Sequence, residues 1–261
     1  MKRFALAAIW VLCTAAAAPA TAQDMLRHLD LQSPAMTAAE MTRAQIEAQA
    51  ASQPGRPLDL SGKALNGLDL SGIDLSHAIL RNARFNRANL KGAKLDGAIL
   101  DQAWGLDANF SGASLERASL FASQLQGANL DKANLAGARI TADLSRASLK
   151  GANFSGADCS ADLKNQSMGL ITTVFKSANL SGANFANANL SSVNLEFANL
   201  RDANLSNANL NNADAAGADF RGAGLTGATA AGLDINSARI DASSAKSAFA
   251  GATHGELAIK E

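Results

Sequence analysis

Cysteine is scarce in this sequence: only Cys13 and Cys159 occur among its 261 residues. Cys13 lies in an N-terminal segment that we expect to be removed, which would leave Cys159 without a partner for an intrachain disulfide. The alternative for Cys13 is lipid attachment, but Leu12 stands where that reaction needs a small residue. Stability must therefore come from packing and from backbone hydrogen bonds.

An excess of charge of one sign is also missing. The chain carries 23 basic and 23 acidic side chains, with no long run of either sign. This balance argues against a basic patch for nucleic acid and against an acidic surface that imitates a phosphate backbone. We therefore expect no nucleic-acid partner.

Residues that carry chemistry are few and scattered. The three histidines, His28, His77 and His254, lack the spacing of metal ligands. The sequence contains no glycine-rich phosphate loop, and its aspartates recur with a repeat instead of forming a catalytic pair. We expect no catalytic residues, no metal and no cofactor, and hence a protein that is not an enzyme.

Long hydrophobic runs are missing beyond the N-terminus. Lys2 and Arg3 precede an apolar stretch from Phe4 to Ala18, and Ala20-Thr21-Ala22 offers small residues to a signal peptidase. The stretch is shorter than the roughly 20 residues that cross a bilayer, so it predicts a signal peptide over 1–22 and no stable membrane span. We expect an exported protein, periplasmic or extracellular.

What the sequence does contain is a period of five. Between Leu60 and Ile240 an apolar residue stands at nearly every fifth position, flanked by small and polar residues. Five matches neither the 3.6-residue helix nor the two-residue strand, so the period predicts a repeating coil. The first repeat centres are Leu60, Leu65, Leu70, Leu75, Leu80, Phe85, Leu90, Leu95, Leu100, Gly105, Phe110, Leu115, Leu120, Leu125, Leu130, Leu135 and Ile140.

The phase of the repeat slips after Ile140, where one residue is lost. It later returns to the original phase and fades toward the C-terminus. The centres after the slip are Leu144, Leu149, Phe154 and Cys159, and the later ones are Phe175, Leu180, Phe185, Leu190, Leu195, Leu200, Leu205, Leu210, Ala215, Phe220, Leu225, Ala230, Ile235 and Ile240. Cys159 thus falls at a centre, which predicts a small buried hydrophobic residue.

A second slip follows Cys159. The pattern predicts Leu163 as the next centre, and the run 164–169 then restores the phase at Leu170. We interpret that run as a short surface bulge at a coil corner. A functional loop is the alternative, in which Asn165 and Gln166 would contact a partner.

The repeat unit resembles a known family. Literal units include Ala88-Asn89-Leu90, Ala108-Asn109-Phe110, Ala152-Asn153-Phe154, Ala203-Asn204-Leu205 and Ala218-Asp219-Phe220. They are similar to the pentapeptide-repeat family, whose unit is A-(D/N)-(L/F)-X-X. The resemblance implies an all-β solenoid, a right-handed quadrilateral β-helix in which four pentapeptides make one square coil.

Packing considerations agree with that fold. If each five-residue unit forms one side of a square, the centre points inward, and so does the alanine two places before it. Centres then form ladders at 20-residue spacing, such as Leu60, Leu80 and Leu100, and about nine coils stack. Glycines two places after a centre would stand at the corners; they are Gly62, Gly67, Gly72, Gly92, Gly97, Gly112, Gly127, Gly137, Gly182, Gly217, Gly222 and Gly227.

The ends of the chain depart from the repeat. We expect an N-terminal helical cap and linker over 23–57, with a capping box at Thr37-Ala-Ala-Glu40 and a short helix over Ala38 to Ala51. The β-helix would occupy 58–240. The segment 241–261 would cap the last coil, or it could pair two rods end to end, and a monomer is favoured.

Three aromatic residues stand at outward positions of the repeat. Trp104 precedes Gly105, which replaces a centre, so Leu106 is expected to turn inward and Trp104 to fold over a local bulge; partner contact is the alternative. Phe121 and Phe197 are further candidates for partner contact.

The sequence therefore favours a non-enzymatic exported scaffold that binds an unknown protein or envelope component along a rigid surface. A binder of an envelope carbohydrate, peptide or ion is the alternative, because polar ladders could accept such ligands. The resemblance also implies a third function, since some family members protect DNA gyrase by presenting a DNA-like surface. Export and near-neutral charge argue against that function.

Overall fold

The computed structural model describes residues 30–162, 171–243 and 249–260. In these ranges the five-residue units form the sides of square coils, and the coils stack as a right-handed quadrilateral β-helix. The predicted fold class is confirmed. We name the four sides by their first centres: face 1 begins at Leu60, face 2 at Leu65, face 3 at Leu70 and face 4 at Leu75.

Neighbouring coils pair as parallel strands at the residue before each centre. Asn109, for example, bridges Asn89 on one side and Asn129 on the other. The Leu90 amide donates to Asn109 O (2.7 Å), and the Asn109 amide donates to Ala88 O (2.9 Å). Nine coils follow one another along face 1, and their centres are Leu60, Leu80, Leu100, Leu120, Ile140, Cys159, Leu190, Leu210 and Ala230.

The core is a column of repeat centres and alanines. Both sets are buried, which confirms the predicted inward residues. Phe154 and Phe185 stack on face 4 with their ring centroids 4.6 Å apart. Each large buried side chain contributes roughly 1.5–3 kcal/mol before chain entropy is subtracted, so the ladders hold the coils together. Cys159 is fully buried, as predicted, and burial raises the pKa of its thiol, so the thiol is inert.

Most coil corners hold a residue in the left-handed backbone region, although the corner after Ile140 does not. Gly62 has a φ of 70°, and the other predicted corner glycines also have positive φ. The same position is filled elsewhere by residues that carry a side chain, such as Asn82 (φ 55°) and Phe197 (φ 56°). A side chain at this position does not prevent the left-handed conformation. We therefore infer that the stacking of the coils imposes the corner conformation.

The first phase slip is confirmed at the corner after Ile140. Strand β1 (Ser119–Gln124) pairs in parallel with β2 (Arg139–Asp143), and the register shifts between Phe121 and Gln124. Four residues of β1 therefore lie opposite three of β2. The offset between stacked residues falls from 20 to 19, as the Asn153–Asn134 hydrogen bond shows.

The prediction of a second one-residue slip after Cys159 is wrong. Leu163 and Leu170, together with Asn165 and Gln166, lie outside the described residues, but the coil on either side shows how the chain continues. Val174 bridges Asp143 and Asn194, so Phe175 is the centre that follows Cys159. The offset rises to 31 residues, against 20 in a regular coil. This coil therefore contains eleven residues more than a regular coil, against the expected six-residue bulge, and Asp162 and Ile171 form an antiparallel bridge within it.

Two helices precede the coils, and the predicted capping box is misplaced. Helix α1 spans Pro34–Thr37 and helix α2 spans Arg43–Ser52. The Thr37 hydroxyl donates back to Ser33 O (3.0 Å), so Thr37 ends α1 and caps no helix. The capping box lies at Thr42, whose amide donates to the Gln45 side chain (2.8 Å).

Helix α2 packs on the first coil, and the C-terminal segment packs on the last. Ile46 of α2 is fully buried in the core. Strand β3 (Arg239–Ile240) pairs in parallel with β4 (Ile259–Lys260), and Thr253 bridges Asp234. Among the described residues, no helix has the length and apolar character needed to cross a membrane.

Candidate functional site

Three of the four faces carry ladders of side-chain amides. On face 4, three asparagines before a centre donate to the asparagine of the preceding coil. The bonds are Asn153 to Asn134 (2.9 Å), Asn184 to Asn153 (3.0 Å) and Asn204 to Asn184 (3.0 Å). The oxygen of each amide also accepts a backbone N–H two residues later, as Asn184 does from Ala186 (3.2 Å).

Parts of faces 1 and 3 repeat this arrangement, on face 1 only from coil 6 to coil 8. On face 1 Asn209 donates to Asn189 (3.0 Å), and Asn189 donates to Asp158 (3.1 Å). On face 3 Asn89 donates to Asp69 (3.0 Å), and hydrogen bonds from Ser71 and Asn89 keep the pKa of the Asp69 carboxyl below its usual value. Because these groups are bonded to one another, they offer few free donors or acceptors to a partner.

Face 2 differs in composition. Only one of its nine positions before a centre is an asparagine, against two on face 1, and that residue, Asn194, donates to Glu196 (3.1 Å) instead of to the preceding coil. From coil 1 to coil 9 these positions are Ala64, Arg84, Trp104, Gln124, Asp143, Val174, Asn194, Asp214 and Asp234.

The chain's own N-terminal segment lies on face 2 at coils 1 and 2. The amide of Glu40 donates to Ala64 O (2.9 Å), and Ala39 forms an antiparallel bridge with Leu65. Side chains of face 2 then donate to backbone carbonyls of the segment. These bonds join Asn66 to Ala38 (2.9 Å), Arg84 to Ala35 (3.0 Å) and Asn86 to Met36 (3.3 Å).

Trp104 follows on coil 3 in a regular position, so the predicted local bulge is wrong. It bridges Arg84 on coil 2 and Gln124 on coil 4, and its side chain is half-buried. The space at Gly105 is filled by Phe85 and Leu125. A Cβ atom placed on Gly105 would lie 2.7 Å from the Phe85 ring and 2.8 Å from Leu125.

Leu106 also does not turn inward, because that space is taken. It stays half-buried on the outer surface of face 2, one residue after the centre. Its backbone amide donates to the side-chain oxygen of Asn86 (2.9 Å). Trp104 and Leu106 together form an apolar step immediately beyond the part of the face that the N-terminal segment covers.

A buried polar cluster occupies coils 4 and 5 of face 2. The Gln126 side-chain nitrogen donates to Gln124 Oε1 (2.9 Å) and to Asp143 Oδ2 (2.8 Å). The other oxygen of Asp143 accepts the Ser145 amide (2.9 Å). Gln126 Oε1 is buried and has no hydrogen-bond donor.

Phe121 and Phe197 lie at the two corners that border face 2. Phe121 is half-buried at the corner that leads into the face, with the Arg139 guanidinium carbon 5.9 Å from its ring centroid. Phe197 is 60% exposed at the corner that leaves the face. Its ring lies over Gly217, where a Cβ atom would come within 2.5 Å of it.

The structure thus brings Trp104, Phe121 and Phe197 to one face and its two corners, although they are far apart in the sequence. The insertion between Asp162 and Ile171, which would contain Asn165 and Gln166, leaves the coil at the same corner as Phe121. Whether Asn165 and Gln166 join the face stays a prediction. The five-residue pattern did not identify the polar residues of face 2, which are Asn66, Arg84, Asn86, Gln124 and Gln126. The sequence signal that marks this face is the loss of asparagine at positions 20 residues apart.

The C-terminal end of face 2 is acidic. Burial raises the pKa of Asp214, and the nearby charges of Glu196 and Asp234 add to this effect. Lys176 donates to Glu196 (2.7 Å) and lowers the pKa of that carboxyl. His254 Nδ1 lies 2.9 Å from Asp234 Oδ1. Across the described part of the chain, no group of three or more histidine, cysteine or acidic residues could hold a metal ion.

Comparison with protein families gives one match, to pentapeptide repeats, in eight copies. The matched residues are 65–103, 107–141, 142–164, 173–207 and 203–240, which together make up more than half of the chain. Comparison with curated protein sequences finds no match.

Several solved structures are similar to this chain. HetL from the cyanobacterium Nostoc, a pentapeptide repeat protein involved in heterocyst differentiation regulation, is 29% identical over 76% of this chain and 96% of its own, with a TM-score of 0.45. QnrB1, a plasmid-mediated fluoroquinolone resistance protein, is 18% identical over 76% of this chain and 89% of its own, with a TM-score of 0.46. A thylakoid-lumen protein of Arabidopsis thaliana is 38% identical over 43% of this chain and 72% of its own, with a TM-score of 0.22.

Proposed function

Because the chain belongs to the pentapeptide-repeat family, we propose that it is a non-enzymatic, exported scaffold that binds a macromolecular partner along face 2 of its β-helix. Proteins of this family are generally non-catalytic scaffolds. The partner is a protein or another envelope component. Export is part of the proposal and is supported by the signal-peptide pattern of residues 1–22.

The observation that carries the proposal is the difference between the faces. Faces 1, 3 and 4 each carry stretches in which outward amides are bonded to the next coil, on coils 6 to 8 of face 1, coils 1 to 3 of face 3 and coils 4 to 7 of face 4. On face 2 the ladder is replaced by Trp104, Gln124 and charged residues, and aromatic residues stand at both corners. Aromatic side chains contribute much of the binding energy at protein interfaces, so this face is the favoured contact surface.

The exposed ring of Phe197 supports the same assignment, since Phe197 is the one phenylalanine at a left-handed corner in the described part of the chain. The left-handed region costs a residue with a side chain roughly 1–2 kcal/mol, and exposure of the ring gives up the benefit of burial. Lys176 Nζ lies 5.9 Å from the ring centroid, which offsets part of this cost. A strained and exposed aromatic residue is favoured where it contacts a partner.

Partner capture tests the contact surface. Envelope extract would be passed over the immobilised protein and over two variants, Trp104→Ala and Asn109→Ala. Both positions are half-buried and precede a centre on coil 3, but they lie on faces 2 and 3. We expect a partner that the wild type and Asn109→Ala retain and that Trp104→Ala loses. Equal retention by both variants, or no retained partner, would contradict the proposal.

Export has its own test. If residues 1–22 are a signal peptide, the protein recovered from the periplasm or the medium begins at Gln23. Recovery only inside the cell, with the N-terminus intact, would remove export from the proposal and leave the contact surface unaffected.

A further inference from the structure

Face 2 already binds one polypeptide segment, the chain's own residues 35–40. Asn66, Arg84 and Asn86 each donate a side-chain N–H to a backbone carbonyl of that segment. Such bonds depend on the path of the bound backbone and little on its side chains. The first two coils therefore show how this face holds the backbone of a segment that passes from the short helix α1 into an extended stretch at 38–40.

The same two columns of positions continue onto the next coils. In the column before the centres, Arg84 is followed by Trp104 and Gln124. In the column after the centres, Asn86 is followed by Leu106 and Gln126. Coils are about 4.8 Å apart, so the amides of coil 4 lie roughly 10 Å beyond the donors of coil 2, a distance that three residues of extended chain span.

Gln126 differs from its counterparts in one respect. The side-chain oxygens of Asn66 and Asn86 each accept a backbone N–H from the next coil, at 3.0 and 2.9 Å. The corresponding N–H for Gln126 belongs to Ser145 and is bonded to Asp143 (2.9 Å). Gln126 Oε1 is therefore a buried acceptor without a donor on a face that binds backbone elsewhere.

We propose that the apolar step of Trp104 and Leu106, together with Gln124 and Gln126 on the next coil, binds an extended polypeptide segment of the partner. This segment carries small apolar side chains. This inference rests on the proposed function and names the partner's chemistry. Trp104 and Leu106 pack against a residue such as proline or alanine. The Gln124 amide, whose own bond to Ala122 O is long at 3.3 Å, donates to a backbone carbonyl.

The partner's backbone N–H bonds to Gln126 Oε1 after a small tilt of that amide, which keeps the bonds of its nitrogen to Gln124 and Asp143. The outward side chains of the step carry no charge, and Asp143 behind it is buried and bonded on both oxygens. A neutral segment therefore fits better than a charged one. Pro34-Ala35-Met36 of the chain itself, which lies on the adjoining coils, has this character.

Trp104 provides a direct reporter for such binding. The chain has two tryptophans and no tyrosine, so in full-length Trp10→Phe protein the emission comes from Trp104 alone. The probe is a synthetic peptide with the sequence of residues 33–39, acetylated and amidated so that it is neutral. We expect a saturable blue shift of the emission as the peptide covers Trp104.

Two variants in the Trp10→Phe background locate the binding. Gln124→Ala should weaken the peptide affinity by at least about fivefold, because one hydrogen bond to the peptide is lost. Asn109→Ala, at the matching position of face 3, should leave the affinity unchanged. Circular dichroism would confirm that both variants are folded.

Three results would overturn the inference. They are the absence of a saturable shift up to about 5 mM peptide, which corresponds to negligible affinity, an affinity that Gln124→Ala leaves unchanged, and binding that Asn86→Ala abolishes while Gln124→Ala does not. The last result would place the peptide on coils 1 and 2. A partner captured through Trp104 despite any of these results would leave the proposed function standing and remove only the peptide chemistry.

Discussion

At Gly105 the repeat lacks its inward side chain, and the neighbouring coils compensate. Phe85 is larger than most centres, and its ring and Leu125 close on the position where a side chain would stand. From the sequence pattern alone, one would expect a larger apolar residue at position 105 to fill a gap in the core and to stabilise the protein. The packing makes the opposite prediction.

Gly105→Ala should destabilise the protein by about 1–3 kcal/mol, because its Cβ would overlap Phe85 and Leu125. Gly224→Ala is the matched control, since Gly224 has ordinary backbone geometry and a Cβ atom added there would lie 3.9 Å from its nearest neighbour, Asn204 Oδ1. The control should be neutral or slightly stabilising. Urea unfolding of both variants tests this, and a Gly105→Ala protein as stable as the control would show that the account of the core is wrong.

Phe197 is the second residue whose position needs an explanation. Asparagine adopts the left-handed region more readily than phenylalanine and stands at other corners, such as Asn187 and Asn207. Phe197→Asn should therefore keep the thermal midpoint or raise it slightly. Phe185→Asn, in the core, should lose more than about 3 kcal/mol. A Phe197→Asn protein that loses more than about 1 kcal/mol would mean that Phe197 is kept for stability.

At the scale of the element, the amide ladders and the closing coil stabilise different parts of the rod. The ladders join consecutive coils along three faces. The last coil is closed by the β3–β4 pair and by the contact between His254 and Asp234. Each arrangement makes its own prediction.

Asn184→Ala interrupts the face 4 ladder at its middle. It removes the bond to Asn153, the bond from Asn204 and the bond from the Ala186 amide, so a loss of about 1–3 kcal/mol is expected. Gln124→Ala on face 2 is the control and should cost less, because the Gln124 side chain makes two hydrogen bonds, one of them long at 3.3 Å, against three for Asn184. Chemical denaturation would compare the two, and equal losses would contradict the distinction between these faces.

The closing coil should be sensitive to pH. The hydrogen bond and charge of Asp234 raise the pKa of His254 above 6.5, so the ion pair stabilises the coil fully below that value and is lost as pH rises through the raised pKa. Amide exchange at Ile259, corrected for its intrinsic rate, should therefore accelerate across that range. His254→Gln should show no such step. An NMR titration in which His254 has a pKa of 6.5 or lower would refute the coupling.

At the scale of the whole molecule, the sequence predicts features that depend on neighbouring residues. It does not predict which side chains come together on one face, because that depends on the 20-residue spacing of successive coils. Repeat centres and corner glycines follow from five neighbouring residues, so the core and the fold were predictable. The helix start was not, because Thr37 and Thr42 both precede a suitable partner residue and only packing against coil 1 distinguishes them. The length of the insertion after Cys159 was not predicted, because the apolar residues Leu163 and Leu170 stand at sequence spacings close to the period.

The unusual composition of face 2 is visible only when residues 20 positions apart, on successive coils, are compared. Trp104 and Phe197 were identified as departures from the repeat, but Gln124 and Gln126 look ordinary within their own units. Their significance depends on what lies on the coils before and after them. The sequence therefore indicated parts of the candidate site without showing that they share a face.

The most direct test of the account places one photoreactive residue on each face of a single coil. Ile99, Trp104, Asn109 and Ser114 hold equivalent half-buried positions on faces 1 to 4 of the rod, each bridged to the neighbouring coils. Each would be replaced in turn by a photoreactive phenylalanine derivative, which keeps an aromatic ring at position 104, and cross-linking to the captured partner would be measured. The account predicts that position 104 gives the dominant product. Equal yields at all four positions, or a stronger product at 109, would contradict it.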